Sequence, residues 1–268
     1  MTLKEKKINI VGYGYVGQAT AIGLKKLGYD NIFAYDLIKK ENLYNSDIFK
    51  EIKFSEHNDY IDDINSIHII CVSDKSRKSG KQNMKDVSEL LTFLNVENKK
   101  RHSENLIILR TTVVPNFLKK LEFDFYWVEF LREKNAILDF LNPEYFVVGR
   151  RYENKFPFER DFERKVHYCI PEEASHIKYL SNIWNSLRIA FVNEFGDNLI
   201  DERVNKKDVL DFFFKEKKYM KWGNAFGGHC LPKDSKAYSS QYKLKILRAL
   251  IKSNEIHHKK YPNLESIY

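Results

Sequence analysis

The feature that most restricts this chain is a succession at its start: strand, glycine turn, helix, strand, acid. Lys7-Ile-Asn-Ile-Val-Gly12 reads as a short buried strand ending in glycine. Gly12-Tyr13-Gly14-Tyr15-Val16-Gly17 follows at once, then a helical pattern from Gln18 to Leu27, then a second strand, Asn31-Ile-Phe-Ala-Tyr-Asp36. In a unit of this kind the first glycine makes the turn, the second admits a pyrophosphate, and the third lets helix and strand pack closely. The helix N-terminus supplies amide donors to the phosphate, so Gly12, Gly14, Tyr15, Val16 and Gly17 are expected to line a dinucleotide. Asp36 stands 36 − 17 = 19 residues past the last glycine, placed to accept hydrogen bonds from an adenosine ribose. A carboxylate there repels a 2′-phosphate, which favours NAD over NADP.

Further strands fit Ile67 to Val72 and Leu106 to Leu109, with a polar stretch from Ser73 to Lys85 and a helical segment near Asp86 to Leu94 between them. The alternation predicts an α/β fold, a Rossmann-type doubly wound parallel sheet with ligands beyond the strand C-termini. Ser73 and Thr112 stand at such ends; each lines the cofactor crevice in one reading and is an ordinary turn hydroxyl in the other. Phe125 to Val128 is a further strand leading into Glu129 and Glu133. If that turn is helical, the two carboxylates share a face, where they tune each other's protonation or are simply solvated. Leu141 to Gly149 reads as a turn and the last strand of the sheet.

The chain is therefore expected to hold a cofactor domain over 1–150, a charged and aromatic linker over 151–171, and an all-helical domain over 172–268. Pro171-Glu-Glu opens a long helix, with proline suited to its first turn and the acids to its positive end. Lys178 and Asn182 share a face of it. Shorter helices are expected near Lys207 to Phe214 and Lys243 to Ser253. Between these two lies Gly227-Gly-His-Cys-Leu-Pro-Lys-Asp234. A thiol behind two glycines, with an ammonium and a carboxylate close by, suits a thiolate nucleophile; a surface turn with a stray cysteine is the plainer reading.

Composition excludes more than it selects. The net charge is 45 − 37 = +8, but the basic residues are scattered and follow no nucleic-acid-binding pattern. A lysine-rich surface or a phosphate-bearing ligand accounts for it. No apolar run approaches the ~18 residues of a membrane helix, and no apolar leader precedes the first strand. The three cysteines form neither a disulfide framework nor a zinc pattern. A cytoplasmic protein without a resident metal is the expectation.

Five ordered motifs then carry a resemblance. Gly12-Tyr-Gly-Tyr-Val-Gly17, Arg110-Thr-Thr-Val113, Glu129-Phe-Leu-Arg-Glu133 (with Val128 in place of a proline), Lys178-Tyr-Leu-Ser-Asn182 running on to Phe191-Val-Asn-Glu194, and the Gly227 to Asp234 loop resemble those of the UDP-glucose/GDP-mannose dehydrogenase family. The resemblance implies oxidation of a nucleotide-sugar C6 alcohol to the carboxylate, with NAD as cofactor, in polysaccharide biosynthesis. It implies Cys230 as the nucleophile that forms a thiohemiacetal and a thioester. Asp234, or a water it holds, would take the alcohol proton, Lys178 and Asn182 would stabilise the oxyanion, and Thr112 and Glu133, with Glu129, would manage the hydrolytic water. Glu129, Phe130, Leu131, Lys178, Asn182 and Gly227 would line the substrate.

Two departures stand against the pattern: no stretch after Tyr268 corresponds to the family's nucleotide-binding C-terminal domain, and Phe213 to Lys221 offers lysines where the family has an arginine. Dehydrogenation of a smaller alcohol or hydroxy acid, and a non-catalytic NAD-binding relic, are the alternatives; intact Cys230, Lys178, Asn182 and Asp234 weigh against the relic. The resemblance also implies a homodimer through the long helix, whose apolar stripe from Ile177 to Phe191 otherwise packs within its own domain.

Overall fold

The computed structural model describes residues 2–57, 59–73, 75–76, 81–215, 220, 222–228 and 230–262. His229, parts of the polar stretch after Ser73 and most of 216–221 thus lie outside the described residues. The chain divides into two compact units, one of residues 1–75 and 83–178 and the other of 76–82 and 179–268.

The first unit is built on an eight-stranded sheet. Its strands are β1 (Ile8–Val11), β2 (Ile32–Tyr35), β3 (Lys53–Ser55), β4 (Ile67–Ile70), β7 (Leu106–Leu109), β8 (Phe125–Trp127), β9 (Val147–Arg150) and β10 (His167–Cys169). A two-strand ribbon, β5 (Lys75–Ser76) and β6 (Gln82–Asn83), stands apart from it. The sheet order is β10-β9-β8-β7-β4-β1-β2-β3. From β3 to β8 every pair is parallel, as a doubly wound sheet requires. β9 then runs antiparallel to β8, and β10 pairs parallel with β9. The sheet is therefore mixed at that end, and it carries two strands, β3 and β10, beyond the six that the sequence pattern suggests.

Both faces are covered, which explains the unbroken apolar runs of β1 and β4. α1 (Tyr15–Lys26) and α4 (Ala136–Leu141) pack on the face bearing Ile8, Ile10, Ile69, Ile108 and Trp127. The other face carries α2 (Lys85–Arg101) and α3 (Pro115–Leu118), against Ile70, Ile107, Leu109 and Tyr126. The stretch 151–166 is not a detached linker. Its Phe156, Phe158 and Phe162 are buried around Trp127, with ring centroids 5.1–6.1 Å away. Each buried phenylalanine contributes about 1.5–3 kcal/mol, more than the exposed charges beside them lose by lying near the surface. The aromatic residues decide where the segment goes.

α5 (Pro171–Asp197) begins against this sheet: a Cβ on Gly149 would lie 2.6 Å from the Pro171 Cα. In the second unit the rest of α5 is joined by α6 (Lys206–Phe214), α7 (Cys230–Gln241) and α8 (Lys245–Lys260). Asn205 caps α6 by accepting from the Lys207 and Asp208 amides. The core of the unit is small: Ile189, Ala190, Phe226, Leu247 and Leu250, flanked by Ile183, Leu187, Leu231 and Tyr238. Among the described residues no helix is long and apolar enough to cross a membrane.

Candidate active site

At the end of β1 the glycines do three different things. Gly12 has φ +94°, a left-handed backbone that side chains resist, and a Cβ there would meet the Cys71 and Val72 backbone at 2.6 Å. The ends of β1 and β4 therefore almost touch at the point where the strand order reverses. A Cβ on Gly17 would fall 2.0 Å from the Gly12 carbonyl oxygen, which makes this the closest helix–turn approach. At Gly14, the N-cap of α1, a Cβ would meet nothing within 4 Å. Open space in front of free helix amides is what a pyrophosphate needs, so the residues present fit a dinucleotide.

Gly14→Ala should leave the melting temperature within about 2 °C of wild type, since nothing is displaced, while weakening NADH binding about tenfold or more. Gly17→Ala should cost about 1–3 kcal/mol of stability through overpacking. Thermal melts and NADH fluorescence titration read the two effects separately, and equal loss of stability in both variants would contradict this division.

Asp36 is more committed than a free ribose acceptor. Its Oδ2 accepts the Tyr13 N–H at 2.8 Å, and Lys40 Nζ lies 3.2 Å from its Oδ1. The carboxylate braces the glycine turn as well as standing at its mouth. Ser73, just past β4, is exposed, and Tyr15 and half-buried Val16 sit in the first turn of α1. Tyr15 hydrogen-bonds the Glu133 carboxylate, which holds its phenol above the ordinary range.

Beyond β7 and β8 the unit buries an uncommon set of charges. Lys178 and Glu129 are 3% and 5% exposed and form an ion pair at 2.9 Å. Glu129 also accepts the Leu131 N–H at 2.9 Å. Burial alone pushes this carboxyl upward. The Lys178 charge and hydrogen bond, the Leu131 amide and the Arg110 charge outweigh it, so the net shift is downward and Glu129 is ionised. Arg110 is 2% exposed, lies 3.8 Å over the Trp127 ring, and its Nε and Nη1 meet no hydrogen-bond partner among the described residues. Desolvation draws it down to about 10, against the Glu129 charge that favours it. Cys71, wholly buried next to it, is pushed up to about 12 by burial and is no nucleophile.

The backbone from Glu129 to Arg132 is irregular rather than helical, and only Glu133–Asn135 forms a turn. Glu129 and Glu133 therefore do not share a helical face. Glu129 is turned inward to Lys178, and Glu133 is left exposed on the surface. Phe130 and Leu131 are half-buried, with the Lys178 ammonium 5.6 Å from the Phe130 ring centroid. Thr112 is half-buried, while its buried neighbour Thr111 donates to the Val72 carbonyl at 2.7 Å.

In the second unit, Asn182 Nδ2 donates to Asp234 Oδ2 at 2.6 Å, both groups buried. Lys233 Nζ lies 3.4 Å from Asp234 Oδ1. Ser186 and Ser235 meet one turn along, at 3.2 Å, so α7 is pinned to α5 at two successive positions. Cys230 is half-buried and is the first residue of α7, a helix absent from the sequence expectation of a bare loop. A helix N-terminus favours the thiolate, and Asp234 follows one turn later on the same face. Gly227 and Gly228 before it are exposed.

Residues 172–256 match the central domain of a known family, described as the UDP-glucose/GDP-mannose dehydrogenase family. The UDP-glucose 6-dehydrogenase of Rickettsia typhi is 28% identical over 93% of this chain and 67% of its own length. Over most of its length the chain is similar to members of the UDP-glucose/GDP-mannose dehydrogenase family. The GDP-mannose 6-dehydrogenase of Pseudomonas aeruginosa is also 28% identical, over 70% of this chain and half of its own. Among solved structures, a UDP-glucose dehydrogenase from Pyrobaculum islandicum has the same fold, with a TM-score of 0.79 at 23% identity over 94% of this chain and 68% of that one. The family relatives are thus nucleotide-sugar dehydrogenases, and the Rossmann-type sheet followed by a helical region is the family's arrangement.

Proposed function

We propose that the chain is an NAD-dependent nucleotide-sugar 6-dehydrogenase that uses Cys230 as a covalent nucleophile. The observation that carries this reading is the placement of Cys230 at the head of α7, with Asp234 one turn on and held by Asn182 at 2.6 Å. Gly12, Gly14, Tyr15, Val16, Gly17 and Asp36, with Ser73 and Thr112, would hold the cofactor. When bound, NAD+ supplies the acceptor for the hydride lost at each oxidation.

The rest of the chemistry falls to the chain's own side chains. Asp234, directly or through a water, takes the hydroxyl proton as C6 becomes an aldehyde. The Cys230 thiolate adds to that carbon, and the oxygen takes a proton to give a thiohemiacetal. Loss of a second hydride and of the hydroxyl proton leaves a thioester. Water then adds, the C–S bond breaks, and carboxylate and thiol are released. Asn182 has a second amide hydrogen beyond the one given to Asp234, and Lys178 is a buried ammonium; both suit the oxyanion of the tetrahedral species. Glu129 acts here by keeping Lys178 charged and in place. Thr112 and Glu133 attend the hydrolytic water, and Phe130, Leu131 and Gly227 line the sugar.

The test is stoichiometric. Purified protein incubated with NAD+ and either UDP-glucose or GDP-mannose should yield two NADH for each sugar consumed, with uronate as product. One NADH, from a simple alcohol and indifferent to Cys230, would replace this reading with that of a plain alcohol or hydroxy-acid dehydrogenase.

The long helix supports a homodimer. Leu180, Trp184, Phe191 and Phe195 recur at intervals of four and seven along α5 and are 48–68% exposed, an apolar row of the kind that another copy covers. Paired Trp184→Asp and Phe191→Asp changes should halve the mass measured by light scattering while leaving helical dichroism unchanged. A wild-type protein that is already monomeric at micromolar concentration would end the dimer proposal.

A further inference from the structure

The segment that leads into Cys230 is irregular, so its backbone groups have no ladder to join and must find partners elsewhere. They find them in side chains from two helices. Asn193 on α5, 1% exposed, accepts the Gly223 N–H at 3.0 Å and donates to the Asn224 carbonyl at 2.7 Å. Asn254 on α8 accepts the Phe226 N–H at 2.7 Å and donates to the Phe226 carbonyl at 3.0 Å. His257, 2% exposed, meets the Gly223 carbonyl through Nε2 at 2.5 Å and the Asp197 carboxylate through Nδ1 at 2.7 Å. Both of its ring nitrogens thus have an oxygen partner. Asp197 also accepts the Trp222 indole N–H at 2.9 Å.

These bonds end at Phe226, itself in the core of the unit. Gly227 and Gly228 follow, exposed, with Gly228 at φ +70°. Phe226 lies 230 − 226 = 4 residues before Cys230, and Asp234, pinned by Asn182, lies 234 − 230 = 4 residues after it. The cysteine is thus suspended between two anchors, and only one of them belongs to the catalytic set.

We infer that Asn193, Asn254 and His257 are positioning residues that hold Gly223 to Phe226 and thereby fix where Cys230 enters α7, setting the reactivity of its thiol. The effect on turnover rests on the reading of Cys230 as nucleophile; the effect on the thiol does not. Asn254→Ala removes both Phe226 bonds. Iodoacetamide labelling, mapped by peptide mass spectrometry, should then be about tenfold faster at Cys230, the consequence of two lost hydrogen bonds on a local opening equilibrium. Cys169, half-buried in the sheet unit, serves as the internal reference and should change less than about twofold if the opening is local.

With nucleotide sugar and NAD+, kcat should fall while KM holds, because the thiol and not the substrate contacts has moved. Asn254→Asp keeps the acceptor for the Phe226 N–H and loses the donor, so its labelling should rise about threefold. It carries the comparison alone if the alanine variant does not fold. Glu255→Ala, an exposed neighbour on α8, should match wild type. Labelling of Cys230 at the wild-type rate in both Asn254 variants overturns the inference, as does an equal rise at Cys169. Accelerated Cys230 labelling in a protein that turns over no nucleotide sugar would keep the clamp and remove the proposed function.

Discussion

Lys178→Met should lower the unfolding free energy by about 3–5 kcal/mol, the usual result of leaving one buried charge without its partner. For a chain of this size that is a fall in melting temperature on the order of 10 °C. Both groups are almost fully buried, 3% and 5% exposed at 2.9 Å, so water does not screen the loss. The sign of its pH dependence follows from Glu129. Its folded-state pKa lies below the ordinary value, so its contribution is present above the unfolded carboxylate range and is lost as pH falls through the folded value. Without Lys178, burial dominates and Glu129 prefers its proton. The gap between variant and wild type should therefore narrow as pH falls from 7 toward 4, about where a free glutamate titrates. Glu129→Gln should be similarly unstable at neutral pH, and the double variant should lose less than the sum of the singles. Single variants within about 1 kcal/mol of wild type would show that the pair is not the buried unit described here. Catalysis should suffer too, with kcat down about 10²–10³-fold in Lys178→Met if the ammonium serves the oxyanion.

The second large effect is expected at Cys230. Cys230→Ala should reduce formation of the uronate by about 10³-fold or more, since the covalent route to the acid is gone. NAD+ binding should be unchanged, because the residues proposed to hold the cofactor lie in the first unit and the change removes a single sulfur. A decisive pattern is the stoichiometry: whatever NADH the variant forms should stop at one per sugar, with aldehyde released. Cys230→Ala still yielding two NADH and uronate at near wild-type rate would remove the thiol from the mechanism.

Much of this protein could be read residue by residue. The Gly12 to Gly17 turn was legible because its chemistry is local: a left-handed glycine, an open helix N-terminus and a tight helix–strand contact each follow from neighbours a few residues apart. The long helix from Pro171 was equally legible, since its apolar period runs for many turns. The short strands β3 and β10 were not, because three residues carry too little pattern to stand out. The helix at Cys230 was hidden for another reason. Its two preceding glycines and its proline read as loop signals, whereas in the folded chain Pro232 occupies the first turn, where its missing N–H costs nothing.

Local sequence also misjudged Glu129 and Glu133. Spacing paired them, but the backbone between them is not helical, so one is buried against Lys178 and the other is left in water. Arg110 was visible only as a motif letter; that it is a buried cation stacked on Trp127 emerges from strands far apart in the chain.

The amino-acid order by itself determined the glycine turn, the succession of strands and helices, and which chemical groups the family motifs contain. Those are properties of short stretches, governed by backbone sterics and side-chain period. Tertiary structure alone decided which charges are buried together, that 151–166 belongs to the aromatic core, and that Asn193, Asn254 and His257 meet the segment before Cys230. Such outcomes depend on desolvation and on hydrogen bonds between residues tens of positions apart, and no local pattern encodes them.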